Sequence, residues 1–314
     1  MADPAKAVEE VTEESSEYMD SSTLSAEGSV VSPPTPKVVA CDGDASSNGE
    51  SSESDTPVSW SAVKDVGVCF DRNARYRRTM EDTHKVVDKF GDNPSSAYFG
   101  VYDGHGGKKA AEFVRDNLHL KLLEQLQKES KVEEALKQAY LATDDAIEAA
   151  DIKFSGTTTV SALIQMEDSD RVLYCANCGD ARAVLSHAGQ AVRLTYDHKG
   201  ADESEQARIV ALGGFVVMNR VNGILAVTRS LGDRTMKEYV SGEPYVTESV
   251  LDEKDELLIL ACDGVWDVLS DQEAVDLLLP EIGKISAKKM AERLVITSLR
   301  RGSTDNISAI VVVL

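Results

Sequence analysis

The sequence predicts an α+β fold in which two mainly antiparallel sheets pack together and helix pairs cover their outer faces. Three observations lead to it. Four β-rich stretches follow one another after Gly156 with only tight turns between them, which makes neighbouring strands run antiparallel. Helical periodicity comes in two pairs far apart in the chain, one before Gly156 and one after Cys262. Leu257-Leu-Ile-Leu-Ala-Cys262 is apolar at every position, as expected of a strand covered on both faces.

In chain order, Val63–Cys69 and Ala97–Val101 have the β-branched and aromatic content of short strands. A helix follows Gly106-Gly107, with Ala110, Val114, Leu118, Leu122 and Leu126 on one i+4 ridge. A second helix places Val132, Leu136, Tyr140 and Ile147 on one face, and both should pack on a sheet. Thr157–Met166, Val172–Ala176, Ala181–Ser186 and Ala191–Thr195 are the successive strands, separated by turns such as Gly179-Asp180 and His187-Ala-Gly189. Glu205–Leu212 reads as a short helix closed by Gly213-Gly214. Asp271–Leu279 and Ala287–Arg300 are helices, and Ile307–Leu314 is a final β-branched strand. There is no internal repeat, and periodicity leaves the order of the layers open.

Charge divides the chain of 314 residues unevenly: residues 1–60 hold 13 Asp and Glu against only Lys6 and Lys37, so about half of the net charge of −21 lies there. The same segment has five of the eight prolines and only Tyr18 and Trp60 as aromatics, too little apolar surface to offset chain entropy. Residues 1–57 are therefore expected to be a disordered acidic tail, with Ser32-Pro33 and Thr35-Pro36 as candidate phosphate acceptors, and 58–314 the folded domain. The rest is mildly acidic, which argues against nucleic acid or an anionic membrane as the main partner. No apolar run approaches the ~18 residues of a membrane span, and the opening residues have no basic and apolar signal segment. Five cysteines in a chain with ample core fit reduced thiols, so the expectation is a soluble monomer in the cytoplasm, the nucleus or both.

Acids recur where strands end. Asp103-Gly104 follows Tyr98–Tyr102, Asp263-Gly264 follows Leu257–Cys262, Asp305-Asn306 precedes Ile307–Val313, and Glu81-Asp82 stands beside Arg77-Arg78. Singly, each is a turn residue, since Asp-Gly is a common turn dipeptide. Together, if adjacent in a sheet, they would gather carboxylates at one rim, where like charges repel unless protonated or neutralised by a cation. Hard oxygen ligands select Mg²⁺ or Mn²⁺, and the bare glycine backbone lets the Gly104 carbonyl act as a ligand too.

Arg77-Arg-Thr-Met-Glu-Asp82, Tyr102-Asp-Gly-His-Gly-Gly107, Ser155-Gly-Thr-Thr-Thr-Val160, Asn177-Cys-Gly-Asp-Ala-Arg182, Thr228-Arg-Ser-Leu-Gly-Asp233, Ala261-Cys-Asp-Gly-Val-Trp-Asp267 and Thr304-Asp-Asn306 form an ordered series. It resembles the motif series of the metal-dependent protein phosphatases of type 2C, and the wording of Arg220–Arg229 is most similar to small fungal members. The resemblance spans about residues 60–314. It implies a four-layer αββα sandwich with a two-ion Mg²⁺ or Mn²⁺ site at one end of the sheets. Asp103 would bridge both ions, Asp263 and Asp305 would bind one, Gly104 the other through its carbonyl, and Glu81 would act through water. Asp180 and Asp267 match positions that hold a third, weaker ion in some members. The implied reaction is hydrolysis of phosphoserine and phosphothreonine in proteins by a hydroxide bridging the two ions, which attacks phosphorus without a covalent phosphoenzyme. Arg77 would hold the phosphate by a bidentate fork and His105 would protonate the leaving alkoxide. Stress-type protein kinases are implied among the substrates.

Several features pull elsewhere. His105 also reads as a helix N-terminal histidine bonded to its loop, and Asp267 as a helix cap. Cys69-Phe-Asp-Arg-Asn-Ala-Arg75 has the spacing of a cysteine-dependent phosphatase but no glycine to cradle phosphate. Cys175-Ala-Asn-Cys178 has zinc or redox spacing without a second ligand pair, and a strand would put its thiols on opposite faces. In Asp197-His-Lys-Gly-Ala201, glycine stands where the family commonly has proline, which predicts a freer loop there. A catalytically silent scaffold for phosphoproteins is the alternative to the enzyme.

Overall fold

A computed structural model of the chain describes residues 60–314; the acidic tail and its Ser-Pro and Thr-Pro pairs lie outside the described residues. The strands and helices, in chain order, are β1 (Asp65–Asp71), β2 (Thr83–Asp88), β3 (Ala97–His105), α1 (Lys109–Leu126), α2 (Val132–Ala149), β4 (Gly156–Glu167), β5 (Asp170–Cys178), β6 (Arg182–His187), β7 (Gln190–Arg193), α3 (Glu203–Ala211), β8 (Val216–Val217), β9 (Arg220–Val221), β10 (Leu231–Gly232), β11 (Tyr245–Leu251), β12 (Asp255–Ala261), α4 (Asp263–Trp266), α5 (Asp271–Leu278), α6 (Ala287–Arg300) and β13 (Ile307–Val313). Two large antiparallel sheets form. One has the order β1-β13-β12-β6-β7; the other has the order β11-β5-β4-β3-β2, with β10 also on β4.

The layers follow from alternation along the strands. On β3, Ala97, Phe99 and Val101 face the other sheet and pack with Leu258, Leu260, Ile310 and Val312, whereas Tyr98 and Tyr102 face Leu118, Leu122, Leu136 and Tyr140 of α1 and α2. On β12 and β13 the other face, Ile259, Ala261 and Val311, meets Val275 of α5 and Met290 and Leu294 of α6. The result is the expected αββα sandwich. Both faces of β12 and β13 are buried, which accounts for their uninterrupted apolar runs. Among the described residues no helix is long and apolar enough to cross a membrane.

Three expectations change. β3 continues to His105, pairing Asp103 with Thr158 and His105 with Gly156, so Asp103 lies in the strand and not in a turn after it. The three strand-end acids are not neighbours in one sheet, because β3 belongs to one sheet and β12 and β13 to the other. The edge strands β2 and β11 were not expected; their residues are nearly all half-buried or exposed, so neither shows the buried alternation that marks a strand in sequence.

Candidate metal centre and active site

The alternation that sends Ala97, Phe99 and Val101 between the sheets sends Asp103 there as well, at the open end of the sandwich. β12 delivers Asp263 to the same place from the facing sheet. Ligand atoms of Asp103, Cys262 and Asp263 lie within 4.8 Å of one another. The site is thus assembled across the two sheets, and glycines permit it. A Cβ on Gly104 would stand 2.4 Å from the Glu81 carbonyl oxygen, and one on Gly264 2.0 Å from that of Asn306.

Asp305 precedes β13 and is ion-paired with Arg77, whose Nε also donates to the Thr304 carbonyl at 3.3 Å. The phosphate-holding role assigned to Arg77 therefore starts from a guanidinium resting on a predicted metal ligand. Glu81 Oε2 accepts from Gly107 N at 2.9 Å and Oε1 from Thr79 Oγ1 at 2.8 Å, which ties it to the loop after β3. Asp180 is buried and Asp267 exposed, with the Lys199 ammonium between them at 3.5 and 3.1 Å. Asp267 is a helix cap, at the C-terminal end of α4, while the N-cap of α5 is Ser270, with a full capping box to Glu273. His105 ends β3, and its Nε2 lies 2.6 Å from Asp233 Oδ2, so its partner comes from a distant loop and not from the start of α1.

Electrostatics sets this cluster apart. Burial, reinforced by neighbouring carboxylates, raises Asp103 and Asp263 well above the usual range, and raises Asp180 and Asp305 less. Asp82 is pushed up to about 6 by burial, against hydrogen bonds including one of 2.8 Å from Ser308 Oγ. Asp82 Oδ1 and Asp263 Oδ1 are buried without a hydrogen-bond partner among the described residues. Mutually repelling carboxylates with unpartnered oxygens are what a hard divalent cation would satisfy, so the residues fit Mg²⁺ or Mn²⁺.

Besides Asp233, Lys199 and Cys262, two residues of the site carried no role from sequence. Asp82 is one. Asn306 is the other: its Oδ1 accepts from Glu81 N at 2.8 Å and its Nδ2 donates to the carbonyls of Arg72 at 2.8 Å and Thr79 at 3.1 Å, stitching the arginine-rich loop to β13. The adjacency of each to a predicted ligand was the only signal.

The cysteines are core. Cys69 is 3% exposed on β1 and disulfide-bonded, so the expectation of reduced thiols is corrected there and it has no thiol to act as a nucleophile. Cys175, Cys178 and Cys262 are buried free thiols, and burial pushes Cys178 up to about 12, far from a thiolate. Cys175 faces the inter-sheet core and Cys178 the helices, on opposite faces as expected. Gly200 is also not loose. Its N–H donates to the Ala226 carbonyl at 3.0 Å, and a Cβ there would lie 2.1 Å from the Asn219 carbonyl oxygen. Glycine lets two backbone segments touch where proline would fit neither the contact nor the bond.

An αββα sandwich with a buried carboxylate cluster at the open end of its two sheets is the architecture of a metal-dependent phosphatase. The family model "Protein phosphatase 2C" matches residues 66–307, and the chain belongs to that family. It is 45% identical over 253 residues to "Protein phosphatase 2C homolog 1" of Schizosaccharomyces pombe, covering 79% of this chain and 72% of that one. It is 40% identical over 265 residues to the protein of the same name in Saccharomyces cerevisiae, covering 79% and 93%. The crystal structure of a serine-threonine phosphatase 2C from Toxoplasma gondii superposes with a TM-score of 0.70 at 23% identity, covering 82% of this chain and 96% of that one, a likeness of fold. The protein is a protein phosphatase, a phosphoric monoester hydrolase.

Proposed function

We propose that this phosphatase hydrolyses phosphoserine and phosphothreonine in proteins with two bound Mg²⁺ or Mn²⁺ ions, a third at Asp180 and Asp267 when Lys199 withdraws. The observation that carries the reading is the mutually repelling set Asp82, Asp103 and Asp263, in which Asp82 Oδ1 and Asp263 Oδ1 are buried without a hydrogen-bond partner among the described residues. Asp103, Asp263, Asp305, the Gly104 carbonyl and, through water, Glu81 would hold the ions. When bound, they would neutralise the carboxylates, draw charge from the phosphate and make a water acidic enough to serve as nucleophile.

The chain's own residues do the rest. Arg77 leaves Asp305 for the incoming phosphate, exchanging one charge-assisted pair for another. His105 supplies the proton that the leaving serine or threonine oxygen needs. The packed sheets give Asp103 and Asp263 little freedom to spread apart, so charge stays concentrated where substrate arrives. We place the protein in the cytoplasm or nucleus as a monomer acting in stress or kinase signalling, with activation-loop phosphothreonine of protein kinases as substrate.

The test is phosphate release from a phosphothreonine peptide with Mn²⁺, with chelator, and by Asp263→Ala with Mn²⁺. Activity that needs the metal and falls by at least ~100-fold in the variant supports the reading. Activity that survives chelation would overturn the metal reading, and a well-folded, inactive protein would make this a scaffold. A panel of phosphorylated kinases dephosphorylated no faster than unrelated phosphoproteins would remove the kinase substrates.

A further inference from the structure

Asp233 lies 128 residues from His105 in sequence, yet its Oδ2 is 2.6 Å from His105 Nε2. Its side chain is 9% exposed against 27% for His105. The surroundings are built for this contact. Ser230 Oγ also donates to Oδ2, and the Asp233 amide donates to the Ser155 carbonyl at 3.2 Å. Asp233 holds a left-handed φ of 48°, a conformation that aspartate adopts more readily than most side chains and that its context fixes here. That context is β10 paired to the start of β4, with Asp144 of α2 accepting from Gly232 N at 2.8 Å and from Lys237 Nζ at 2.7 Å. Gly156 completes it: a Cβ there would stand 2.0 Å from Asp233 Oδ2 and 2.5 Å from His105 Nε2. The glycine of Ser155-Gly-Thr is where the pair needs space.

We propose that Asp233 is the positioning residue of His105. Its carboxylate accepts Nε2–H, fixes the ring plane and leaves Nδ1 as the nitrogen that faces substrate. This rests on the phosphatase reading above. In the step it serves, a water oxygen forms the new P–O bond and gives up one of its protons to solvent. The Oγ–P bond breaks with its electron pair on Oγ, and Oγ takes the proton from Nδ1. The ring keeps its Nε2–H on Asp233 and regains the Nδ1 proton from solvent. A ring free to rotate would offer that proton in the right direction only part of the time.

The experiment compares wild type, Asp233→Asn, His105→Ala and the double variant, all with Mn²⁺, on a phosphothreonine peptide and on p-nitrophenyl phosphate, whose leaving group needs no proton. Asp233→Asn should lower kcat on the peptide by about 10–100-fold with little change in KM, and lower it roughly tenfold less on the aryl ester. In the His105→Ala background it should add almost nothing. Equal losses on both substrates, or losses that multiply in the double variant, would make Asp233 a brace of its loop and overturn the proposal. The ¹⁵N imidazole spectrum of wild type, with His105 assigned by His105→Gln, decides the matter even where Asp233→Asn fails to fold. A hydrogen-bonded Nε2–H supports the pairing; an Nδ1–H tautomer with bare Nε2 overturns it. An inactive wild type would sink the phosphatase mechanism, while the ring spectrum would still report on Asp233.

Discussion

Asp82 shows what the carboxylate cluster costs the metal-free protein. In the fold its carboxyl titrates near 6, raised by burial and by Asp305 and partly offset by hydrogen bonds, against an ordinary value of 3.8. Between those values the native state holds more proton than the unfolded chain, so stability is lost as pH rises through that window. Asp82→Asn removes the penalty. Without metal, the variant should melt with wild type near pH 4 and about 5 °C above it at pH 7, as expected of a shift of about two pK units in a domain of this size. Asp103 and Asp263 lose the repulsion of Asp82 in the variant, which adds to the difference in the same direction, whereas His198, which does not face Asp82, cancels. Equal melting at pH 7 would show that Asp82 is not charged and repelled there. Function and stability pull apart at this residue, as they commonly do where a site needs strain.

At the scale of elements, the segment from Gly200 to Arg229 is held by backbone contacts as much as by side chains. Glu205 gathers Arg208 Nη2 at 2.9 Å, Arg229 Nη2 at 2.7 Å and Thr228 Oγ1 at 2.8 Å, and these bonds hold its carboxyl down to about 2 although burial opposes them. Gly200 closes the far side through Ala226 and Asn219. Gly200→Pro, which restores the family's commoner residue, should loosen the segment, because it deletes a hydrogen bond worth about 1 kcal/mol and drives a side chain into the Asn219 carbonyl. Hydrogen exchange should report amides in 200–229 opening about 5-fold faster or more, with β12 and β13 unchanged. Unaltered exchange in 200–229 would mean that these contacts do not hold the segment.

For the molecule as a whole, the carboxylate cluster is a joint between two sheets. Asp103 comes from one, Asp263 and Asp305 from the other, and the core between them is continuous and apolar up to that end. Cation binding should therefore stabilise the sandwich globally. At Mn²⁺ about 100-fold above its dissociation constant the gain is about 2.7 kcal/mol, or about 5–10 °C in melting temperature, and Asp103→Asn should abolish most of it. A melting temperature indifferent to Mn²⁺ would deny the joint.

Much of this was written along the chain. Helix faces such as Ala110 to Leu126, the buried strand Leu257–Cys262 and the Asp-Gly pairs depend on periodicity and turn chemistry over a few residues, which sequence displays directly. The roles of Asp103, Gly104, Asp263, Asp305 and Glu81 as ligands come from the resemblance to the family and not from local pattern. The tertiary structure decided what local pattern does not encode. It brought Asp103 to Asp263 and Asp305 across two sheets, showed Asn306 stitching Glu81 to β13, turned Gly200 into a contact point and set Asp233 against His105. Each depends on the register of distant strands, and register is settled by burial summed over the whole sandwich, which no short segment contains.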